Sequence, residues 1–195
     1  LSTYYPEAGP LRRELYPKHM EFFRLGKEKR ERLFLAANRV GKTEGAGGFE
    51  LTCHITGNYP AWWSGRRFTK PNKWWAAGDT RETVRDILQQ KLLGKPGEHG
   101  TGLIPRDCIH KTSPGFIPDA VQAIWVKHAS GGISVVQFKS YDQGREAFQG
   151  TEQDGIWLDE EPPEHVYTEC LLRTMTNNGM VMLTFTPLRG MSDVV

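Results

Sequence analysis

The sequence predicts an α/β fold: a three-layer sandwich with a mostly parallel central sheet. Three observations carry that expectation. Short apolar runs alternate with segments of helical spacing along the chain. Two of those runs end in polar residues, Leu33–Ala37 before Asn38 and Gly155–Leu158 before Asp159. A third, Met180–Phe185, runs into Thr184-Phe185-Thr186-Pro187. Alternating strand and helix patterns place a parallel sheet between helical layers. Ligands of such sheets bind beyond the carboxyl ends of the strands, where all three polar ends fall.

Residues 1–32 read as a proline-punctuated, aromatic and basic lead-in to the same domain, and 33–195 as its core. Leu15–Leu25 has helical spacing, with Met20, Phe22 and Phe23 available to pack. After the Leu33–Ala37 strand a turn leads into a helix from about Lys42 to Ile55. Gly45, Gly47 and Gly48 weaken that helix, and close packing against the sheet is the expected compensation. Gly57 and Asn58 end it, with Pro60 just beyond. Trp74–Ala77 is a second strand. Asp79 or Thr80 caps the next helix, which carries Val84, Ile87, Leu88 and Leu92. Residues 94–120, rich in glycine and proline, are expected to be irregular. Ala123–Val126 and Ile133–Phe138, joined through Ser130-Gly131-Gly132, read as a hairpin. The Gly155–Asp159 strand follows, then a break at Pro162-Pro163. A helix carrying Val166, Leu171 and Leu172 leads to a last buried strand at Met180–Phe185.

A chain of 195 residues is long enough for one domain with a substantial core. A formal net charge of +2 says little about partners. Locally, Arg12, Arg13, Lys18, Arg24, Lys27, Lys29, Arg30 and Arg32 crowd the N-terminal region, interleaved with Glu14, Glu21, Glu28 and Glu31. The favoured reading is a solvated face of paired charges, ahead of a surface that meets DNA or another subunit. Cys53, Cys108 and Cys170 stand far apart, as reduced thiols of a cytosolic protein do. Cys108 and His110 have no second pair to complete a zinc site. No long apolar span or signal-peptide pattern occurs, so neither membrane nor secretion is expected.

The chemistry lies in two stretches. In Asn38-Arg39-Val40-Gly41-Lys42-Thr43, a turn into a helix leaves backbone N–H groups pointing inward at the positive end of the helix dipole, which attracts phosphate. Gly41 allows close backbone approach. Lys42 supplies a point charge for the terminal phosphates, and the Thr43 hydroxyl suits magnesium. In Gly155-Ile156-Trp157-Leu158-Asp159-Glu160, a buried strand delivers two carboxylates to the same rim. Asp159 suits a magnesium contact, and Glu160, one residue on, can polarise an attacking water. ATP and Mg²⁺ are therefore the expected ligands. The loop departs from the full phosphate-loop pattern at its first position, where Ala36 replaces glycine.

Taken in order, Ala-Ala-Asn-Arg-Val-Gly-Lys-Thr at 36–43, Trp-Leu-Asp-Glu-Glu-Pro-Pro at 157–163 and Leu-Thr-Phe-Thr-Pro at 183–187 resemble the ATPase domain of the large terminase subunit of tailed bacteriophages. Leu15-Tyr16-Pro17-Lys18-His19 and Thr56-Gly57-Asn58-Tyr59-Pro60 extend the resemblance over nearly the whole chain. It implies an ASCE-type P-loop NTPase in the host cell cytoplasm that packages double-stranded DNA. The implied assembly is a homo-oligomeric ring, a pentamer on the portal protein, served by a small terminase subunit. By the same resemblance Glu160 is the catalytic carboxylate, Asp159 the magnesium partner, and Arg39 a contact to the terminal phosphate. Arg145 stands where similar motors carry an arginine that reaches the neighbouring subunit's site; a surface pair with Glu146 or Glu152 is its alternative. Thr184 and Thr186 match a coupling motif. His19 occupies the place of an adenine contact, and Tyr16 offers a ring for stacking. The family's C-terminal nuclease lies beyond this chain, so ATP hydrolysis without DNA cleavage is expected. The tryptophan pairs Trp62-Trp63 and Trp74-Trp75 read as packing residues. A helicase-like motor of the same ATPase class is the first rival, and a small-molecule P-loop kinase the second.

Overall fold

The computed structural model describes residues 3–37 and 40–186. Helix α1 spans Pro17–Leu25, with proline at its first turn where no intrahelical N–H is needed. Strand β1, Glu31–Leu35, leads to a wide-turned helical stretch, Lys42–Gly48, which continues as α2, Phe49–Thr56. Strand β2 is Lys73–Gly78. Helix α3 is a rod over 81–93, opened by Thr80, whose side chain accepts from the Thr83 N–H. Strands β3 (Ile109–Pro114), β4 (Val121–Lys127) and β5 (Ile133–Ser140) form a meander. Strand β6 (Gly155–Asp159), helix α4 (Glu164–Met175) and strand β7 (Met180–Phe185) complete the order.

The seven strands form one sheet in the order β1-β7-β6-β2-β5-β4-β3. Pairing is parallel from β1 through β5 and antiparallel from β5 to β3. One side of the sheet packs Trp74 and Trp157 against the apolar residues of α1, α2 and α3, among them Phe22, Phe49, Ile55 and Leu92. The other side packs Trp75, Leu158 and Leu183 against Val166 and Cys170 of α4 and Phe148 of the turn before β6. Helices on both faces give the three layers that the alternation called for.

The irregular stretch expected over 94–120 is corrected by β3. Its sequence, Ile-His-Lys-Thr-Ser-Pro, shows no apolar alternation because it is an edge strand with two register shifts against β4, and edges tolerate lysine and proline. The lead-in is built into the core: Tyr5 is buried and its ring meets those of Tyr16, Phe23, Phe49 and Trp62. Some of its charges are paired as read, Lys18 to Glu21 at 3.1 Å and Arg24 to Glu28 at 2.8 Å, while Lys27, Lys29 and Arg30 form no ion pair among the described residues. Arg32 is the exception. It is buried, and its Nη atoms donate to both oxygens of Glu50 at 3.0 and 2.8 Å and to the Phe22 carbonyl. Of the tryptophan pairs, Trp63, Trp74 and Trp75 are buried.

Candidate active site

Parallel pairing brings the carboxyl ends of β1, β7 and β6 to one rim. Asp159, the last residue of β6, is the cross-strand partner of Thr184 in β7, and Leu35 of β1 is the partner of Phe185. Beyond β1 the chain enters the stretch that the sequence reads as a phosphate loop. Gly41 lies at φ +79°, a left-handed conformation that side chains with Cβ resist. Its carbonyl accepts from the N–H groups of Gly45 and Ala46 at 2.7 and 3.0 Å, so the helix starts there. Asn38 and Arg39 lie outside the described residues.

Close approach of that helix to the sheet explains its glycines. A Cβ on Gly47 would sit 2.2 Å from Trp157 Nε1. The loop and the carboxylate strand are thereby held together. Thr43 Oγ1 lies 3.0 and 3.1 Å from the two carboxylate oxygens of Asp159. Thr184 Oγ1 donates to Asp159 Oδ1 at 2.7 Å and accepts from Trp157 Nε1 at 2.8 Å. Thr186 Oγ1 donates to the Ala36 carbonyl at 3.0 Å, at the entry to the loop. Three of the residues named from sequence therefore meet within one hydrogen-bonded network, Thr43, Asp159 and Thr184, while Thr186 ties the end of β7 to the loop entry separately.

The electrostatics match the crowding. Burial pushes the Asp159 carboxyl up to about 7 against the hydrogen bonds of Thr184 and Thr43, with Glu160 raising it further and Lys42 opposing. Burial also raises Glu160, opposed by Lys42 and reinforced by Asp79. Lys42 is itself buried. A hydroxyl and a carboxylate converging beside a buried ammonium fit a magnesium ion that takes oxygen ligands and shares a phosphate. Among the described residues, no cluster of three His, Cys, Asp or Glu side chains offers a site that holds a metal without such a ligand.

Sequence reasoning missed Tyr141. Its buried hydroxyl donates to the carbonyls of Asp159 and Glu160 at 3.1 and 3.0 Å. Glu160 has φ +67°, uncommon outside glycine, and its N–H donates to the Thr184 carbonyl at 3.1 Å. Tyr141 thus pins a strained turn that aims the second carboxylate. No motif signals it, because the tyrosine lies 18 residues upstream of Asp159. Asp79, named from sequence only as a candidate helix cap, lies just beyond the end of β2, where its charge raises Glu160.

The adenine candidates divide. His19 is buried: its Nδ1 lies 2.5 Å from the Tyr5 hydroxyl, which donates to the Gly45 carbonyl at 2.6 Å. Burial holds its imidazole below the usual histidine range. His19 therefore braces, through Tyr5, the helix that begins at Lys42. Tyr16 is half-buried and borders a groove of about 950 Å³ that also meets Phe22, Leu33, Ala36 and Val40. Arg145 pairs with neither Glu146 nor Glu152: its Nε donates to buried Glu169 of α4 at 2.9 Å, while Arg173 holds the other oxygen at 3.0 Å.

The family model for the terminase large subunit, T4likevirus-type, N-terminal, matches residues 33–195. The chain belongs to the terminase large-subunit family. It is 42% identical over 202 residues to the terminase large subunit of Salmonella phage P22, covering 92% of this chain and 40% of that protein. The fold is similar to that of the large terminase from a thermophilic bacteriophage, solved in complex with ADP. The TM-score there is 0.53 at 14% identity, covering 87% of this chain and 37% of that one. This terminase chain thus spans about two-fifths of the length of its P22 relative. Among its described residues, no helix is long and apolar enough to cross a membrane.

Proposed function

We propose that this terminase chain is the ATPase motor of a packaging machine, and that it hydrolyses ATP to drive double-stranded DNA into a procapsid in the host cytoplasm. Its working form is a ring, a pentamer on the portal protein, fed by a small terminase subunit. The observation that carries the reading is the hydrogen-bonded run Thr43–Asp159–Thr184, which ties the phosphate loop, the carboxylate strand and the adjacent strand together at one rim. Kinship with the P22 large terminase and the ADP-bound fold relative support it.

Each residue then has a task. The loop backbone and Lys42 hold the phosphates, with Arg39 on the terminal one. Thr43 and Asp159 would hold Mg²⁺, which when bound neutralises charge on the phosphate oxygens. Glu160 orients the attacking water, at the angle fixed by its own positive φ and by Tyr141. Thr184 ties β7 to the Asp159 carboxylate and Thr186 ties it to the loop entry at Ala36, so loss of the terminal phosphate is felt along β7. Tyr16 stacks on the base, and His19 fixes the floor beneath it. Arg145 acts across a subunit boundary once released from Glu169. The domain division follows: 1–32 and 33–195 work as one ATPase unit, and a nuclease lies further along the whole protein.

Glu160→Gln tests the reading. It should bind ATP as the parent does and turn it over about 10²–10⁴-fold more slowly, the range for loss of a positioned base. Hydrolysis at the parent rate would remove Glu160 from the mechanism.

A further inference from the structure

We propose that the open face of β3, β4 and β5 is a docking surface for the phosphate backbone of duplex DNA, read without regard to sequence. Helix α4 covers only part of its side of the sheet. The apolar cluster beneath it draws on β2, β6 and β7 and contains no residue of β3, β4 or β5. On that same side, strand alternation presents Lys73, Lys111, Trp125, Lys127, Val135 and Gln137. Contacts confirm the side: Trp75 Nε1 donates to Gln137 Oε1 at 3.0 Å, and Lys111 Nζ lies 4.4 Å from the Trp125 ring centre.

Across β3, β4 and β5 the charge on this face is of one sign; at its β2 edge Asp154 lies beside Lys73, accepting from its backbone N–H at 2.8 Å. Lys73 is the cross-strand partner of Val135, Val135 of Trp125, and Trp125 of Lys111. One row across four strands therefore carries an ammonium at each end, on the order of 14 Å apart at the usual strand spacing. Lys127, paired with Ile133, adds a third cation in the next row. No outward position of that face, from 111 and 113 through 123–127 to 133–137, is Asp or Glu. Among the described residues, Lys73, Lys111 and Lys127 have no salt-bridge partner. Several basic residues of the lead-in do: Arg12, Lys18 and Arg24 are each matched to a glutamate. Part of the sequence's densest basic run is thus internally neutralised, whereas the three lysines of the sheet face form no ion pair. A broad face with spaced lysines has no element to enter a groove, so it positions a backbone and leaves bases unread. Duplex DNA, with about one charge per 1.7 Å of axis, is the polyanion that meets such a row along its length.

This inference rests on the reading of the chain as a DNA motor, and its test avoids ATP hydrolysis. Binding of the full-length protein to two unrelated duplexes is measured without nucleotide across a salt series. Lys73→Ala, Lys111→Ala and Lys127→Ala should each weaken both duplexes equally and lower the slope of log K against log salt by about 0.9. Lys18→Ala, which removes a neutralised charge, should leave the slope unchanged. The triple variant should keep its DNA-independent ATPase rate, which verifies the fold. An unchanged slope in the triple variant overturns the proposal, as does a parent protein that binds no duplex. Loss of a protein partner with DNA binding intact would also overturn it, by giving the face to that partner. Should the parent lack ATPase activity altogether, the motor reading fails while the salt slopes still decide this face.

Discussion

Thr184 and Asp159 are cross-strand partners at the ends of β7 and β6, and the threonine hydroxyl donates to the carboxylate at 2.7 Å. The same hydroxyl accepts from Trp157, whose indole packs against the Gly47 backbone of the loop helix. One side chain therefore touches the carboxylate and, through Trp157, the helix that begins at Lys42. Thr184→Val should bind nucleotide normally but lower kcat about tenfold or more, the scale of a hydrogen bond to a charged acceptor. Steady-state ATPase with a parallel nucleotide titration separates the two effects. A parent-like kcat would show that Thr184 serves the strand alone.

Tyr141→Phe removes the hydroxyl that holds the carbonyls of Asp159 and Glu160. The buried carbonyls lose a partner, at about 1–3 kcal/mol, and the turn at Glu160 relaxes from its left-handed angle. A fall in kcat with little change in KM for ATP is expected, because Glu160 is mis-aimed while the phosphate cradle is intact. A rise in KM alone would contradict that assignment.

Gly47→Ala places a methyl group 2.2 Å from Trp157 Nε1. Helix and sheet must part or the indole must turn, and overpacking of this kind costs about 1–3 kcal/mol. Urea unfolding should show the loss, together with weaker ATP binding because the loop rides on that helix. Gly97→Ala has no neighbour within 4 Å but sits at φ +81°, so it tests backbone strain without crowding.

Acid should expose the buried triad Arg32–Glu50–His54. Burial raises the Glu50 carboxyl, but the charge of Arg32 and the His54 bond outweigh it and hold the group below its ordinary range. Burial lowers His54 despite its 3.1 Å contact to Glu50. For both groups the unfolded chain takes up protons first as pH falls. Their contribution is whole above about pH 6.5, the ordinary histidine value, and declines below it, first through His54 and then through Glu50. Asp159, raised to about 7, works in the opposite sense. The test is therefore a difference: unfolding free energy of parent minus His54→Gln, followed from pH 8 to pH 5. A difference that does not shrink with acid would refute the assignment.

Arg145 is held by Glu169, so its reach into a neighbouring site requires breaking that pair. Mixtures of Arg145→Ala with Glu160→Gln should regain ATPase activity, since one protein supplies an intact carboxylate and the other an intact arginine. Activity that stays at the weighted sum of the separate proteins would confine Arg145 to its own subunit.

The readable parts of this chain were those whose residues are neighbours in sequence. Gly41, Lys42 and Thr43 follow one another, as do Asp159 and Glu160, and a strand or helix start needs only local geometry to give them meaning. The hairpin of β4 and β5 was legible for the same reason. Strand β3 was not, since Ile109–Pro114 takes its shape from a partner rather than from its own pattern. Gly47 was legible as an anomaly, and only Trp157 on the sheet explained it.

The sequence by itself determined the α/β alternation, the helix start at Gly41-Lys42-Thr43 and the paired carboxylates at a strand end, because each is written in short-range spacing of apolar and polar residues. Tertiary structure alone decided that Tyr141 braces Glu160, that His19 is a buried support, that Arg145 rests on Glu169, and that Lys111 and Lys127 share one open face of the sheet. Those facts depend on which strands lie side by side. That order is set by long-range burial of the whole sheet between its helical layers, which no local pattern encodes.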